Sequence, residues 1–130
     1  MKKDFYYLSH PYNGTDSEKE SRVSAAKSAC IHMLENNIHV FSPILHNHTI
    51  IASFGTLSLE DRRRMFLSFD FSLLSASAAM ILLKLDGWKN SYGVQKEVEF
   101  CEEQQIPIFE YSLEELLKVK SFSDEVRSVG

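Results

Sequence analysis

The chain predicts an α/β fold, a three-layer α/β/α sandwich around a mostly parallel sheet of four or five strands. Three observations predict it. Short apolar runs alternate with segments of helical spacing in the order β-α-β-α-β-α-β-α, and such alternation implies parallel pairing through right-handed crossovers with helices on both faces. The run "AAMILLKL" is apolar almost throughout, as a strand covered on both sides must be. A length of 130 residues buries one core and seldom two. One domain is therefore expected over residues 1–120, followed by a polar tail at 121–130.

The elements follow in order. "DFYYLS" (4–9) reads as a buried first strand, stopped by His10 and Pro11 and followed by a polar loop with Gly14. Val23, Ala26, Cys30, Met33 and Leu34 recur at three- and four-residue steps and predict the first helix. "IHVFSPI" (38–44) reads as the second strand, ending near Pro43, and "LHNHTIIASFGT" (45–56) as a loop or short broken helix. Ser58 followed by Glu60 and Asp61 marks a helix start, with Met65, Phe66, Phe69, Leu73 and Ala76 as its inner face. "AAMILLKL" supplies the central strand. A helix over 91–105, a strand "IPIFEY" (106–111) and a last helix capped by Ser112 complete the pattern. In such a flavodoxin-like (Rossmann-like) sheet, ligands sit beyond the carboxyl ends of the strands, near a switch in strand order. The loops at 9–13, 43–54, 86–91 and from Tyr111 onward should converge there.

Composition narrows the function. The chain is 44% hydrophobic and 25% charged, as soluble domains are. Its 14 basic against 18 acidic side chains give a net charge of −4, which argues against a nucleic-acid polymer as partner while leaving room for a small phosphorylated ligand. Cys30 and Cys101 each fall on an apolar helix stripe and read as free buried thiols of a reducing, cytoplasmic compartment. The amino terminus turns polar too soon for a signal peptide, and "AAMILL" is too short to span a membrane, so no membrane partner is expected.

The segment "LDGWKNSYGVQKEVEFCEE" poses the functional question. On a helix advancing about 100° per residue, Val94, Val98 and Cys101 define a buried face, whereas Lys96, Glu99 and Glu103 lie opposite. Glu97 lies about 60° from the stripe centre, and its side chain leans toward position 93, which is glycine. Gly93 lowers helix propensity while leaving open space one turn before the carboxylate. A boundary residue paired with a lysine explains the same spacing, so both readings stand here. Ser91 either caps the helix or helps its amino terminus hold a phosphate. Asp70 repeats the geometry of Glu97 on the flank of its own helix, and two inward acids from different helices suit glycosyl chemistry.

Three motifs together then resemble one family. "FYYLSHPYNG" at the start, Asp70 in "SFDFSLL" and "SYGVQKE" before the last strand resemble the nucleoside 2-deoxyribosyltransferase superfamily, which includes deoxynucleoside 5′-monophosphate N-hydrolases. A phage and bacterial branch with "YLSHPY"-, "VFSPILHNH"- and "GWKNSYGVQKE"-like segments is nearer still. The resemblance implies a retaining mechanism. Glu97 would attack the anomeric carbon, Asp70 would position the sugar or relay a proton, and Tyr7 would orient Glu97. Ser91 matches the serine that contacts the 5′-phosphate in the hydrolases, and a homodimer or higher homo-oligomer is expected. The chain departs from the hydrolases after strand one, where His10-Pro11-Tyr12-Asn13-Gly14 replaces a loop bearing Gly and Arg. It departs again at Ser77, where many relatives carry an acid.

Further ligand contacts are expected from Ser9 in the first loop, from Asp86 and Trp88 in the loop before Ser91, and from Arg22 as a phosphate contact. His46 and His48 form a His-x-His pair, but no acid or cysteine nearby completes a metal set, so His46 is expected either to touch base or sugar or to make local structural hydrogen bonds, and no metal or other cofactor is required. "DRRRM" reads as a solvated helix face or a phosphate holder. The expected function is cleavage of the N-glycosidic bond of a nucleoside or nucleoside 5′-monophosphate, by hydrolysis or deoxyribosyl transfer. A nucleotide-binding or sequestering module without turnover is the alternative, and a protein-interaction domain without a small-molecule site is a third.

Overall fold

The computed structural model describes residues 3–51 and 58–122. Strand β1 (Tyr6–Ser9) leads into α1 (Asp16–Glu35), β2 (Val40–Phe41), α2 (Pro43–Ile51) and α3 (Leu59–Ala76). Strand β3 (Ala79–Leu83) then leads through a 3-10 turn (Trp88–Asn90) into α4 (Tyr92–Gln104), β4 (Ile108–Tyr111) and α5 (Leu113–Leu116). All pairings are parallel and the strand order is β2-β1-β3-β4, so β1 and β3 are central. That order is the flavodoxin-like one without its fifth strand. The chain runs from β1 outward to β2 and returns to pair β3 on the other side of β1. The crevice above the carboxyl ends of β1 and β3 is thus the switch point.

Strand alternation sends neighbouring residues to opposite faces and creates two cores. Leu8, Ile81, Leu83 and Phe109 pack with Ala26, Ala29 and Met33 of α1 and Leu116 of α5. Tyr7 and Met80 pack on the other face with Leu74 of α3 and Cys101 of α4. Both cysteines are free; Cys101 is buried and Cys30 half-buried. Phe122, placed by the sequence in the polar tail, is buried against Tyr6, Phe109 and Tyr111, so the core extends past residue 120; the rest of that tail, 123–130, lies outside the described residues.

Helix starts carry their local signals. Thr15 caps α1 and Ser112 caps α5, each in a reciprocal capping box with a glutamate three residues on, while Ser58 and Ser91 cap α3 and α4.

Three expectations shift. The second strand is only two residues long because Pro43 opens a helix instead of closing a strand: a proline has no N–H to lose in the first turn. The loop expected from 45 is helical to Ile51, and its remainder at 52–57 lies outside the described residues. The inner face of α3 is also rotated. Met65 and Phe69 are exposed, as is Ala76, whereas Asp70 and Leu74 are buried. Among the described residues no helix is long and apolar enough to cross a membrane.

Candidate functional site

Where the carboxyl end of β1 meets α2, α3 and the start of α4, the structure holds a cavity of about 140 Å³. Glu97 forms part of its wall and is buried. The Ser9 hydroxyl donates to its Oε1 at 2.7 Å, and the Tyr7 hydroxyl donates to Oε2. Two consecutive inward positions at the end of β1 therefore hold both oxygens of one carboxylate on α4. Tyr7 supports Glu97 from within the core and is fully buried. Gly93 lies on the same wall one turn earlier, and a Cβ built there would meet nothing within 4 Å, which is the open space its spacing predicted.

Asp70 of α3 faces the same cavity and is buried, with the Asn47 amide of α2 donating to its Oδ1 at 3.5 Å. Burial pushes the Asp70 carboxyl up to about 6, an effect partly offset by Asn47, the Tyr7 hydroxyl and His46. Glu97 is pushed up to about 7, again by burial first, with the Tyr7 and Ser9 hydrogen bonds opposing and the nearby Asp70 charge adding to the rise. Tyr7 moves well above its usual range, by burial and then by the Glu97 charge, and so stays a neutral donor. Two carboxyls that titrate near neutrality beside one cavity can divide attack and proton handling between them.

The remaining candidates separate into two groups. Ser9, Ser91 and Gly93 line the cavity, although the Ser91 hydroxyl is engaged as the cap of α4, accepting from the Val94 N–H at 3.4 Å. Asp86, Trp88, Arg22 and His46 are not among its lining residues. Arg22 donates to the carbonyls of Tyr12, Asn13 and Asp86, and its guanidinium packs close to Gly87, whose φ of +85° favours glycine. It braces two loops. Trp88 sits in the 3-10 turn under the Lys89 ammonium, and the Asp86 side chain is exposed. His46 stacks on Phe69 with ring centroids 5.3 Å apart and contacts Asn47, so it acts on the cavity through Asn47 and its charge on Asp70. Among the described residues no cluster of three potential metal ligands occurs.

Sequence reading missed two contributors. His10 and Asn47 line the cavity from buried positions, and no local pattern marks either. Arg62 and Arg63 of the "DRRRM" run also line it, and the Nε atom of each is buried without a hydrogen-bond partner. Arg63 lies over the Tyr92 ring at 4.6 Å. An adjoining hollow of about 250 Å³ shares both arginines and adds Lys19, so three cations surround it and no carboxylate lines it. The ligand space is thus acidic around Glu97 and Asp70 and basic toward the first turns of α3 and α1.

A search of curated proteins finds no match to the chain. The family model described as a domain of unknown function, DUF1937, matches residues 4–113, which covers both central strands, Glu97, Asp70 and the cavity between them, and the chain belongs to that family.

Proposed function

We propose that the protein cleaves the N-glycosidic bond of a nucleoside or nucleoside 5′-monophosphate with Glu97 as nucleophile. The observation that carries this reading is the Glu97 carboxylate, buried on the cavity wall and held at both oxygens by Ser9 and Tyr7. A desolvated carboxylate with a pKa near 7 is more basic than a solvated one and still ionised in a large fraction of molecules at neutral pH. In the first step a Glu97 oxygen bonds to C1′ while the C1′–N bond breaks. The electron pair leaves with the base, which takes a proton from Asp70 or from water. In the second step water attacks C1′, its proton passes to Asp70 or solvent, and the ester to Glu97 breaks, restoring the carboxylate. An acceptor hydroxyl or base in place of water makes the same chemistry a transfer.

The two arginines and Lys19 beside the cavity suit a phosphorylated substrate, and the motifs resembling the deoxyribosyltransferase superfamily support the glycosyl assignment. Binding without turnover is the second reading, and one observation favours it: with a pKa near 7 a part of the Glu97 population is protonated and hydrogen-bonds instead of attacking. The deciding experiment incubates the protein with ribo- and deoxyribonucleosides, their 5′-monophosphates and NAD, and follows free base by chromatography. Release that disappears in Glu97→Ala and falls in Asp70→Asn supports the enzyme. Tight binding without release supports the binding module, and release surviving in both variants rejects the site.

A further inference from the structure

His10 follows the carboxyl end of β1, next to the serine that holds Glu97, and it lines the same cavity. The residue is only 3% exposed. Its Nδ1 lies 2.8 Å from the Pro11 carbonyl oxygen, and because a carbonyl can only accept, Nδ1 carries the ring proton and donates it. In the neutral ring Nε2 is then a bare lone pair. Burial drives the His10 pKa down to about 4, with the Arg22 charge adding to the fall and the Pro11 bond opposing it, so the ring is neutral at physiological pH. Yet Nε2 is buried, and among the described residues it has no hydrogen-bond partner. Elsewhere on the cavity wall Glu97 receives Tyr7 and Ser9, and Asp70 receives Asn47.

Buried polar atoms in folded proteins are paired, and an orphaned one on a cavity wall marks a place where a ligand supplies the missing group. The missing group here must be a donor. A phosphate dianion offers only acceptors, so it is directed to Arg62 and Arg63, whose unpartnered Nε atoms need acceptors. A sugar hydroxyl donates, and in the proposed reaction the sugar lies against Glu97, in the cavity that His10 also lines.

We propose that Nε2 of His10 accepts a hydrogen bond from a sugar hydroxyl, which makes the site selective for a sugar bearing that hydroxyl over its deoxy analogue. The identity of the donor as a sugar rests on the glycosidic reading above; the need for a donor does not. A site built to pair with a hydroxyl rejects the analogue lacking it, because the acceptor is then left buried and unpaired.

The test is calorimetric titration of the wild-type protein and His10→Phe with a ribonucleoside 5′-monophosphate, its 2′-deoxy and 3′-deoxy forms, and a counterpart lacking the exocyclic amine of the base. Base release is measured in parallel. The wild type should bind one deoxy form roughly ten- to a hundredfold more weakly than the parent. His10→Phe should equalise them by losing affinity for the parent alone, and His10→Gln, which keeps an acceptor, should restore part of the preference. Should His10→Phe fail to fold, the ¹⁵N resonance of Nε2 in the wild type decides: it should move upfield on binding the parent and stay in place with the discriminated deoxy form. A preference unchanged in His10→Phe, a preference for the base amine instead of a hydroxyl, or no binding by any compound would overturn the proposal. The two readings fail separately. A His10-dependent hydroxyl preference without base release removes the glycosidase and keeps this contact, whereas release without that preference does the reverse.

Discussion

Replacing Glu97 by Gln separates what the carboxylate costs the fold from what it does in the site. Its carboxyl is raised from 4.5 to about 7, chiefly by burial. Between those values the folded chain holds a proton that the unfolded chain has released. The stability associated with this proton is complete below pH 4.5 and is lost as pH rises through about 7. At 1.36 kcal/mol per pH unit, the difference corresponds to about 3 kcal/mol. Gln keeps the shape, still offers an oxygen to one of the two hydroxyls and can donate its amide to the other, but it does not titrate. Glu97→Gln should therefore match the wild type near pH 4.5 and exceed it by up to about 3 kcal/mol at pH 8 to 9, or roughly 10 °C in Tm for a domain of this size. His10 tilts both curves the other way: its pKa falls from 6.5 to about 4, so its contribution is intact above pH 6.5 and is lost toward pH 4. That slope is common to both proteins and drops out of their difference. Thermal unfolding followed by circular dichroism across pH 4.5 to 9 gives the comparison. Parallel curves, or a variant less stable than the wild type at pH 8, would refute the reasoning. In the same variant base release should fall by roughly 10³-fold or more.

Asp70→Asn should leave the fold intact and lower turnover. The wild-type kcat/KM should rise above pH 5 as the Glu97–Asp70 pair loses its first proton and, with Asp70 as the proton donor, fall again as it loses the second, with apparent values near 6 and 7 that belong to the pair. Gly93→Ala should stabilise α4 by roughly 0.5 kcal/mol, since its Cβ meets nothing, while raising KM because that Cβ enters the ligand space; a Tm gain with unchanged KM would place the substrate elsewhere. Arg62→Gln and Arg63→Gln should each weaken inhibition by inorganic phosphate and flatten its salt dependence, and equal inhibition in both variants and the wild type would remove the arginines from anion binding.

The fold was legible because its strands and helices differ in length and period. The run at 79–83 is apolar at every position, and its five residues are all buried in a central strand. Glu97 was half legible for a related reason: a carboxylate near an apolar stripe, preceded one turn earlier by glycine, fits a wall with open space, but a boundary residue paired with a lysine fits the same spacing, and the structure decides for the wall. The same logic misjudged α3. Its apolar residues predicted a face centred near Phe69, but the true inner face is turned roughly 100° toward Asp70 and Leu74. The upper half of that face meets a polar cavity rather than a core, so hydrophobicity does not mark it, and Phe69 is left to stack on His46. His10, Asn47, Arg62 and Arg63 carry no periodic signal at all, because what makes them part of the site is the return of α2 and α3 across the end of β1.

These groups also argue jointly for a ligand. Glu97 and Asp70 are acids held where their charge is disfavoured, and His10 is a base held where its own charge is disfavoured. Each destabilises the fold on one side of neutrality, and a core of ordinary apolar side chains at the same three positions would avoid all of it. A scaffold has no use for that arrangement, and chance would scatter such residues over the molecule. Here all three line one cavity at the switch point between β1 and β3, with unpaired guanidinium nitrogens on the facing helix. Stability given up at one place, by the acids and His10 near the end of β1 and beside the guanidinium groups in the first turns of α3, fits the proposed site for an asymmetric small molecule, hydroxyl-bearing at one end and anionic at the other.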